Sequence, residues 1–257
     1  MGRTEELLIQ KRFTDLSRLA DRRGMITYSN FLNLNELQLF YQVTADIATQ
    51  YQLFGGYKYA ERQMIVFIPD ALSYALEDRG QDIFPIALLR FSPVHSKFAE
   101  ELSHRDVLGA LMHLGVERSH IGDIKIDGQN YFIFCEEGIA DYLLDSLSQI
   151  RRTNVTGERV RAADFQIEQK FERLDGVVAS ERLDAILAFL TKKSRDKSAQ
   201  FIQSQKVFVN ERLAVSNAYH CRVEDVISIR GFGKYIYKGS TGETRKGRIR
   251  ISVNKYL

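Results

Sequence analysis

The sequence predicts an α+β protein of several domains, and three observations lead to this prediction. The first 80 residues combine amphipathic helices with one apolar strand. Between residues 85 and 174, strands and helices alternate in the order β-α-β-β-α-β, and between 182 and 234 two short helices precede a β-hairpin. We expect domains at 1–80, 81–175 and 181–257, because 257 residues with 44% hydrophobic content exceed one typical domain.

The N-terminal α/β domain is predicted to begin with a helix over residues 4–23. Its apolar side chains recur at roughly helical spacing until Gly24, a residue that commonly ends helices. A second helix should follow Asn33, which can cap it together with Glu36 three residues later. The apolar run Met64–Ile68 predicts a strand.

The middle domain is predicted to be ferredoxin-like, because its elements follow the β-α-β-β-α-β order. We expect strands over 86–91, 121–126 and 131–135, helices over 106–113 and 139–150, and a last strand near 165–171. The same sandwich underlies RNA-recognition (RRM-like) domains. However, the run 130–136 lacks the Gly-aromatic-basic signature of their central strand, so its aromatic side chains are expected in the core.

The C-terminal domain is predicted to contain two helices, a twisted β-hairpin and a closing strand. The apolar positions of residues 183–190 follow the i, i+3, i+4, i+7 rule of a one-sided helix. Ser194 is placed to cap the second helix, which carries Ala199 and Ile202 inward. Strands are expected over 207–209, 226–229 and 248–253, with a turn at Asn210-Glu211.

Charge divides sharply along the chain. Residues 181–257 contain 16 Lys and Arg against 7 Asp and Glu, a net charge of +9, whereas the remainder has 20 against 26, a net charge of −6. The C-terminal part is therefore expected to face phosphate. No apolar run suits a membrane span or a signal peptide, and the two distant cysteines, Cys135 and Cys221, favour a reduced cytoplasmic protein.

Several C-terminal motifs together resemble the S-four RNA-binding domain. They are Arg182-Leu183-Asp184, Ser194-Arg195, Val207-Phe208-Val209-Asn210, Glu224-Asp225-Val226-Ile227 and Arg230-Gly231. Gln205 departs from the pattern, because that domain usually has a glycine at the end of its second helix. Gln205 is therefore either strained by about 1 kcal/mol in a left-handed conformation or ends the helix differently.

A second resemblance covers nearly the whole chain. Gly55-Gly56-Tyr57, Ala60-Glu61-Arg62, the run from His104 to Met112 and Ile121-Gly122-Asp123-Ile124 are similar to the YlmH family. That resemblance implies a non-enzymatic RNA-binding factor. It also implies partners among ribosomal and transfer RNA, and a role on the large ribosomal subunit in rescue or quality control of stalled ribosomes. We also expect a monomer without a cofactor.

Binding is expected to come from basic side chains that grip phosphate oxygens. The first choices are Arg182, Lys192, Lys193, Arg195, Lys197, Lys206, Arg230 and Lys234, and possible secondary contacts are Arg62, Arg105, Arg245, Lys246 and Arg248. Phe232 has two interpretations, stacking on a base or packing internally.

Other functions have weaker support in the sequence. His104-Arg105-Asp106 matches a protein-kinase string but lacks its companion motifs. Arg173-Leu174-Asp175-Gly176 resembles a pseudouridine synthase motif, yet Asp175 has no visible catalytic partners. The histidines and cysteines show no metal-binding spacing. A cell-division adaptor that uses the acidic N-terminal domains remains an alternative.

Overall fold

The computed structural model describes residues 3–74, 80–161, 165 and 170–256. The chain divides into two compact units, Met1–Ile167 and Glu168–Leu257. The predicted division of the first unit after residue 80 stays a prediction. No helix in the described part of the chain is long and apolar enough to cross a membrane.

The first unit opens with a small antiparallel sheet packed under two helices. Its elements are α1 (Arg3–Arg23), β1 (Thr27–Tyr28), α2 (Leu34–Gln42), β2 (Gln50–Phe54) and β3 (Met64–Ile68), with sheet order β1-β3-β2. The predicted cap is confirmed: the Asn33 side chain accepts hydrogen bonds from the first turn of α2, while Glu36 accepts from the Asn33 N–H. Gly24 ends α1 with a φ of +61°.

Strand β3 is buried on both faces, because successive side chains of a strand point in opposite directions. Ile65 and Phe67 pack against α1 and α2. Met64, Val66 and Ile68 pack in a second cluster that includes the next sheet. The continuous apolar run of β3 is therefore explained by its place between two layers.

The next part of the first unit has the predicted ferredoxin-like fold. Its elements are β4 (Ile86–Pro93), α3 (His104–His113), β5 (Ile121–Asp127), β6 (Asn130–Glu136), α4 (Ala140–Ser146), β7 (Gln149–Ile150) and β8 (Thr153–Val160). The sheet order is β5-β6-β4-β8-β7, with β4 antiparallel to both β6 and β8. Leu89 and Ile133 face the helices, whereas Leu88 and Phe134 face the cluster that contains β3.

The prediction of a last strand near 165–171 is wrong. The last strand of this sheet is β8, because α4 already ends at Ser146 and the chain then turns back through a tight hairpin at Arg151 and Arg152. Residues 166–169 lie outside the described residues. Phe171 instead begins β9 (Phe171–Val178), which pairs along its whole length with a strand of the second unit.

The second unit continues after β9 with two helices and an antiparallel sheet. Its further elements are α5 (Leu183–Thr191), α6 (Arg195–Gln203), β10 (Val207–Val209), β11 (Arg212–Leu213), β12 (Val226–Ile229), β13 (Gly233–Glu243) and β14 (Ile249–Tyr256). The strand order is β11-β10-β12-β13-β14-β9. Asn210 and Glu211 both have positive φ, which fits the two-residue turn that joins β10 to β11.

Helix α6 ends with a residue other than glycine in the left-handed region. Gln205 has a φ of +56°. The Gln205 N–H donates to Ile202 O at 3.0 Å and the Lys206 N–H donates to Phe201 O at 2.9 Å, the paired bonds of a Schellman motif. The first of the two interpretations of Gln205 is therefore confirmed, and the residue carries local strain.

Replacing Gln205 with glycine should stabilise the protein by about 1 kcal/mol, because glycine adopts this φ without a Cβ clash. The matched control is Gln203→Gly, in the last turn of the same helix, which should destabilise by about 1 kcal/mol. Thermal melting of the full chain measures both changes. Equal signs for the two variants would contradict the assignment of strain to Gln205.

Candidate nucleic-acid interface

The start of helix α5 holds an acid that binds two of the predicted RNA-binding arginines. Asp184 is 7% exposed and lies in the first turn of α5. Its Oδ2 accepts a hydrogen bond from Arg195 Nη2 at 2.7 Å, and its two oxygens accept from Arg182 Nε and Nη2 at 3.3 and 3.2 Å. One buried carboxylate thus orients two guanidinium groups that are themselves about half exposed.

Electrostatics keep Asp184 ionised. Burial by itself would raise the pKa of Asp184, but the hydrogen bonds and charges of Arg195 and Arg182 outweigh burial and lower that pKa below its usual value. The three residues therefore carry a net charge of +1. Each guanidinium has five N–H donors, so most of those on Arg195 remain for other acceptors.

The segment between the two helices displays further cations. Lys192 ends α5 with a φ of +54°, and the chain then turns through Lys193 to Ser194. The Ser194 hydroxyl accepts from the Lys197 N–H at 3.4 Å and so caps α6, as predicted. All the lysines of this segment and of the first turn of α6 are exposed: Lys192, Lys193 and Lys197.

A second pair of predicted cations is joined through the backbone. The Arg230 N–H donates to Lys206 O at 2.9 Å, and both side chains are exposed. The Arg230 guanidinium lies 5.6 Å from the centre of the buried Phe208 ring, within cation–π range. Lys234 is half-buried, with its ammonium 5.1 Å from the centre of the Tyr256 ring.

Phe232 packs internally. Its ring meets that of Phe201 edge-on, with 5.2 Å between centres and 63° between planes. Of its two interpretations, base stacking is therefore the weaker. A groove of about 470 Å³ lies beside Arg182, lined also by Gln203, Gln205 and residues 213–218, and no sequence pattern predicted it.

Arg62 has a structural task that the sequence did not reveal. Its Nε donates to Ile121 O at 2.9 Å, and its Nη2 donates to Phe31 O and Arg118 O at 2.7 and 3.3 Å. Burial lowers its pKa. Three backbone carbonyls thus occupy part of the guanidinium, and the secondary RNA contact of Arg62 stays a prediction.

The loop around Arg62 is fixed by one carboxylate. Asp123 accepts hydrogen bonds from the Tyr57 hydroxyl at 2.6 Å, the Glu61 N–H at 2.7 Å and the Arg62 N–H at 3.1 Å. The other secondary candidates are exposed: Arg105 in the first turn of α3, and Arg245, Lys246 and Arg248 at the β13–β14 turn.

The described residues offer little for covalent or metal chemistry. Asp175 is exposed on β9 and pairs with Arg173 at 3.1 Å. Burial raises the pKa of the Cys135 and Cys221 thiols to about 12, so both are unreactive at neutral pH. Within the described part of the chain, no group of His, Cys, Asp and Glu side chains is arranged to hold a metal ion.

Comparisons with known proteins bear on the family and the function of this chain. Residues 81–164 match a family model described as "Putative RNA-binding domain in YlmH". The YlmH resemblance is confirmed. The chain is also 28% identical over 239 residues to the "Ribosome-associated protein quality control protein P2" of Bacillus subtilis (strain 168), covering 93% of this chain and 90% of the relative.

A solved structure supports the fold of this chain. The structure described as "Cell division protein ylmH from Streptococcus pneumoniae" superposes with a TM-score of 0.50 at 20% sequence identity. The match covers 64% of this chain and 96% of the other. At this identity the likeness bears on the fold alone.

The substitution Asp184→Asn should reduce stability at pH 7 by about 1–2 kcal/mol, because charge-assisted hydrogen bonds to two arginines are weakened. The folded-state pKa of Asp184 is lowered, so its contribution is present above the unfolded pKa and is lost as pH falls through the folded value.

Denaturant unfolding from pH 7 down to pH 3 measures this effect. The difference between wild type and Asp184→Asn should shrink as the pH falls below about 4. Asp196→Asn is the matched control, since Asp196 is exposed in the first turn of α6. A difference between wild type and Asp184→Asn that is constant with pH would contradict the ion-pair assignment.

Proposed function

We propose that this protein is a non-enzymatic factor that binds structured RNA, ribosomal or transfer RNA, through its C-terminal unit. The observation that carries the proposal is the arginine pair held by Asp184 beside the exposed lysines that follow α5. The buried Asp184 carboxylate holds the two guanidinium groups in place and so pre-organises them for phosphate. The two arginine side chains therefore lose less conformational freedom when RNA binds.

Phosphate contacts should dominate the affinity. Arg182 and Arg195 can each grip two oxygens of one phosphate, whereas lysines act as mobile point charges. If about six phosphates are engaged, the affinity should fall with salt at a log-log slope of roughly 4 to 5, because each contact releases condensed counterions.

The ribosome is the proposed site of action. The Bacillus subtilis relative is named for ribosome-associated quality control and aligns with 93% of this chain. We propose that the chain acts on the large subunit, in rescue or quality control of stalled ribosomes, inside the cytoplasm.

The alternatives make different demands on the molecule. A division adaptor would bind through the acidic first unit and would be indifferent to the cations that follow α5. A pseudouridine synthase would need a reactive carboxylate in a pocket, whereas Asp175 is exposed and paired. Neither alternative explains why a buried acid holds two arginines.

Cosedimentation with ribosomes tests the proposal. The double substitution Arg195→Ala/Lys197→Ala should reduce ribosome binding at least tenfold and should lower the salt slope by about 1 to 2. The matched control is Arg173→Ala/Lys255→Ala, which also removes two cations from the second unit, but cations that pair with Asp175 and Glu172 on the sheet.

Three outcomes separate the functions. Loss of ribosome binding in the first double variant alone supports the proposal. Equal loss in both variants would mean that ribosome binding depends only on the net charge of the second unit. Wild-type binding in both variants, or an affinity independent of salt, would overturn it and favour the adaptor.

A further inference from the structure

The sheet of the ferredoxin-like part is closed to nucleic-acid bases where its aromatic residues lie. One face packs against α3 and α4. On the other face, Leu88 and Phe134 are buried in the cluster that contains Met64 and Val66 of β3. Gly56 lies so close that a Cβ there would be 2.3 Å from the Phe134 ring, and its φ is +97°.

At one end of the same sheet, the loop between β4 and α3 carries exposed apolar side chains. Phe98, in the loop between β4 and α3, is 80% exposed, and among the described residues of the first unit no large hydrophobic side chain is more exposed. Val94 in the same loop is 51% exposed. An isolated aromatic side chain of this exposure contributes nothing to the core.

Hydrogen bonds fix this loop against the β7–β8 turn. The Val94 N–H donates to Asn154 O at 2.9 Å, and the Glu100 N–H donates to Thr153 Oγ1 at 3.1 Å. In return, the Arg152 N–H donates to Glu100 Oε2 at 3.2 Å. The loop that carries Phe98 and the turn that carries Arg152 therefore form one continuous surface.

One cation contacts Phe98, and others lie on the turn and the helix that are bonded to its loop. The Lys97 ammonium lies 5.9 Å from the centre of the Phe98 ring. Arg151 pairs with Asp106 at 3.3 Å, which links the turn to the first turn of α3. Arg105 and Arg152 are exposed, and neither forms an ion pair with another described residue.

The acids of this surface are largely engaged. Glu100 accepts the Arg152 N–H, and Asp106 accepts hydrogen bonds from the Ser103 N–H and hydroxyl at 2.9 and 2.6 Å. Those bonds lower the pKa of Asp106. Glu101 is exposed beside them. These segments therefore carry four cations, Lys97, Arg105, Arg151 and Arg152, against the three acids Glu100, Glu101 and Asp106.

We propose that this loop-end surface, formed by Val94, Lys97, Phe98, Arg105, Arg151 and Arg152, is a second RNA contact that takes an unpaired nucleotide. The base stacks on Phe98, and the neighbouring phosphates lie against Lys97, Arg105 and Arg152. Stacking on an aromatic side chain beside a basic groove is a sequence-tolerant way to hold single strands. This inference rests on the proposed function and extends it to the first unit.

A protein partner fits this surface less well. A stable protein interface needs an apolar centre of several side chains, whereas Phe98 and Val94 are the large exposed hydrophobic residues on this loop. Three nearby cations disfavour an apolar partner but match a strand of phosphates. A protein contact is therefore kept as an outcome of the test.

Site-specific photo-crosslinking tests the contact. In the full chain, Phe98 is replaced by the photoreactive residue p-benzoylphenylalanine, and the protein is irradiated with purified, salt-washed bacterial ribosomes. The matched control places the same residue at Tyr142, which is 49% exposed on α4. We expect RNase-sensitive adducts at position 98, at least fivefold above position 142.

Adducts to ribosomal protein alone, or equal RNA adducts at both positions, would overturn the second contact. These results leave the proposed function intact if Arg195→Ala/Lys197→Ala still abolishes cosedimentation. If the wild-type chain fails to bind ribosomes, the proposed function and this inference fall together.

Charge and stacking variants supply the second measurement. Arg105→Gln/Arg152→Gln should weaken ribosome binding about tenfold and lower the salt slope by 1 to 2, and Phe98→Ala should weaken binding about tenfold. The control Arg90→Gln/Arg159→Gln removes two cations of β4 and β8 that already pair with Glu158, Glu137 and Asp141. Thermal melting verifies folding, and equal losses in the two double variants would overturn the proposal.

Discussion

The burial of strand β3 on both faces is the constraint on which the first unit depends. Because β3 packs helices on one side and the ferredoxin-like sheet on the other, the first unit cannot open the sheet without exposing two apolar clusters. A fold that elsewhere presents its sheet to RNA is therefore used here as an internal layer. Phe134, on that face of the sheet, is therefore buried and cannot stack on a base.

One carboxylate in each unit accepts several hydrogen bonds. Asp123 accepts from the Tyr57 hydroxyl and two backbone N–H groups, and Asp184 accepts from two arginines. A carboxylate with many donors costs little to bury, since its bonds replace those lost to water.

The elements that the sequence predicted correctly have strong local signals. Helix α1, the Asn33 cap and the strand order of the ferredoxin-like part follow from periodicity, capping residues and topology. Strand β8 was missed because few of its residues are buried, so its alternation is mostly polar. The exposure of most of the predicted cations could be read from the sequence, since lysine and arginine rarely enter a core.

The roles of Asp184 and Arg62 could not be predicted from local sequence signals. Asp184 meets Arg195 eleven residues later, and Arg62 meets three carbonyl groups from two segments distant in sequence, at Phe31 and at Arg118 to Ile121. Such contacts depend on how elements pack, and a single sequence gives no measure of that packing. The left-handed Gln205 lies between these cases, because the sequence marked the position but left its conformation open.

The pairing of β9 with β14 bears on how the second unit folds. Phe171 pairs with Tyr256 and Val178 with Ile249, so each pair closes a very long loop, whereas α5, α6 and the hairpin of β10 and β11 need only near neighbours. Long loops carry a larger entropic cost and form late. The helices that bear the basic residues should therefore assemble before the segment that joins them to the first unit is fixed.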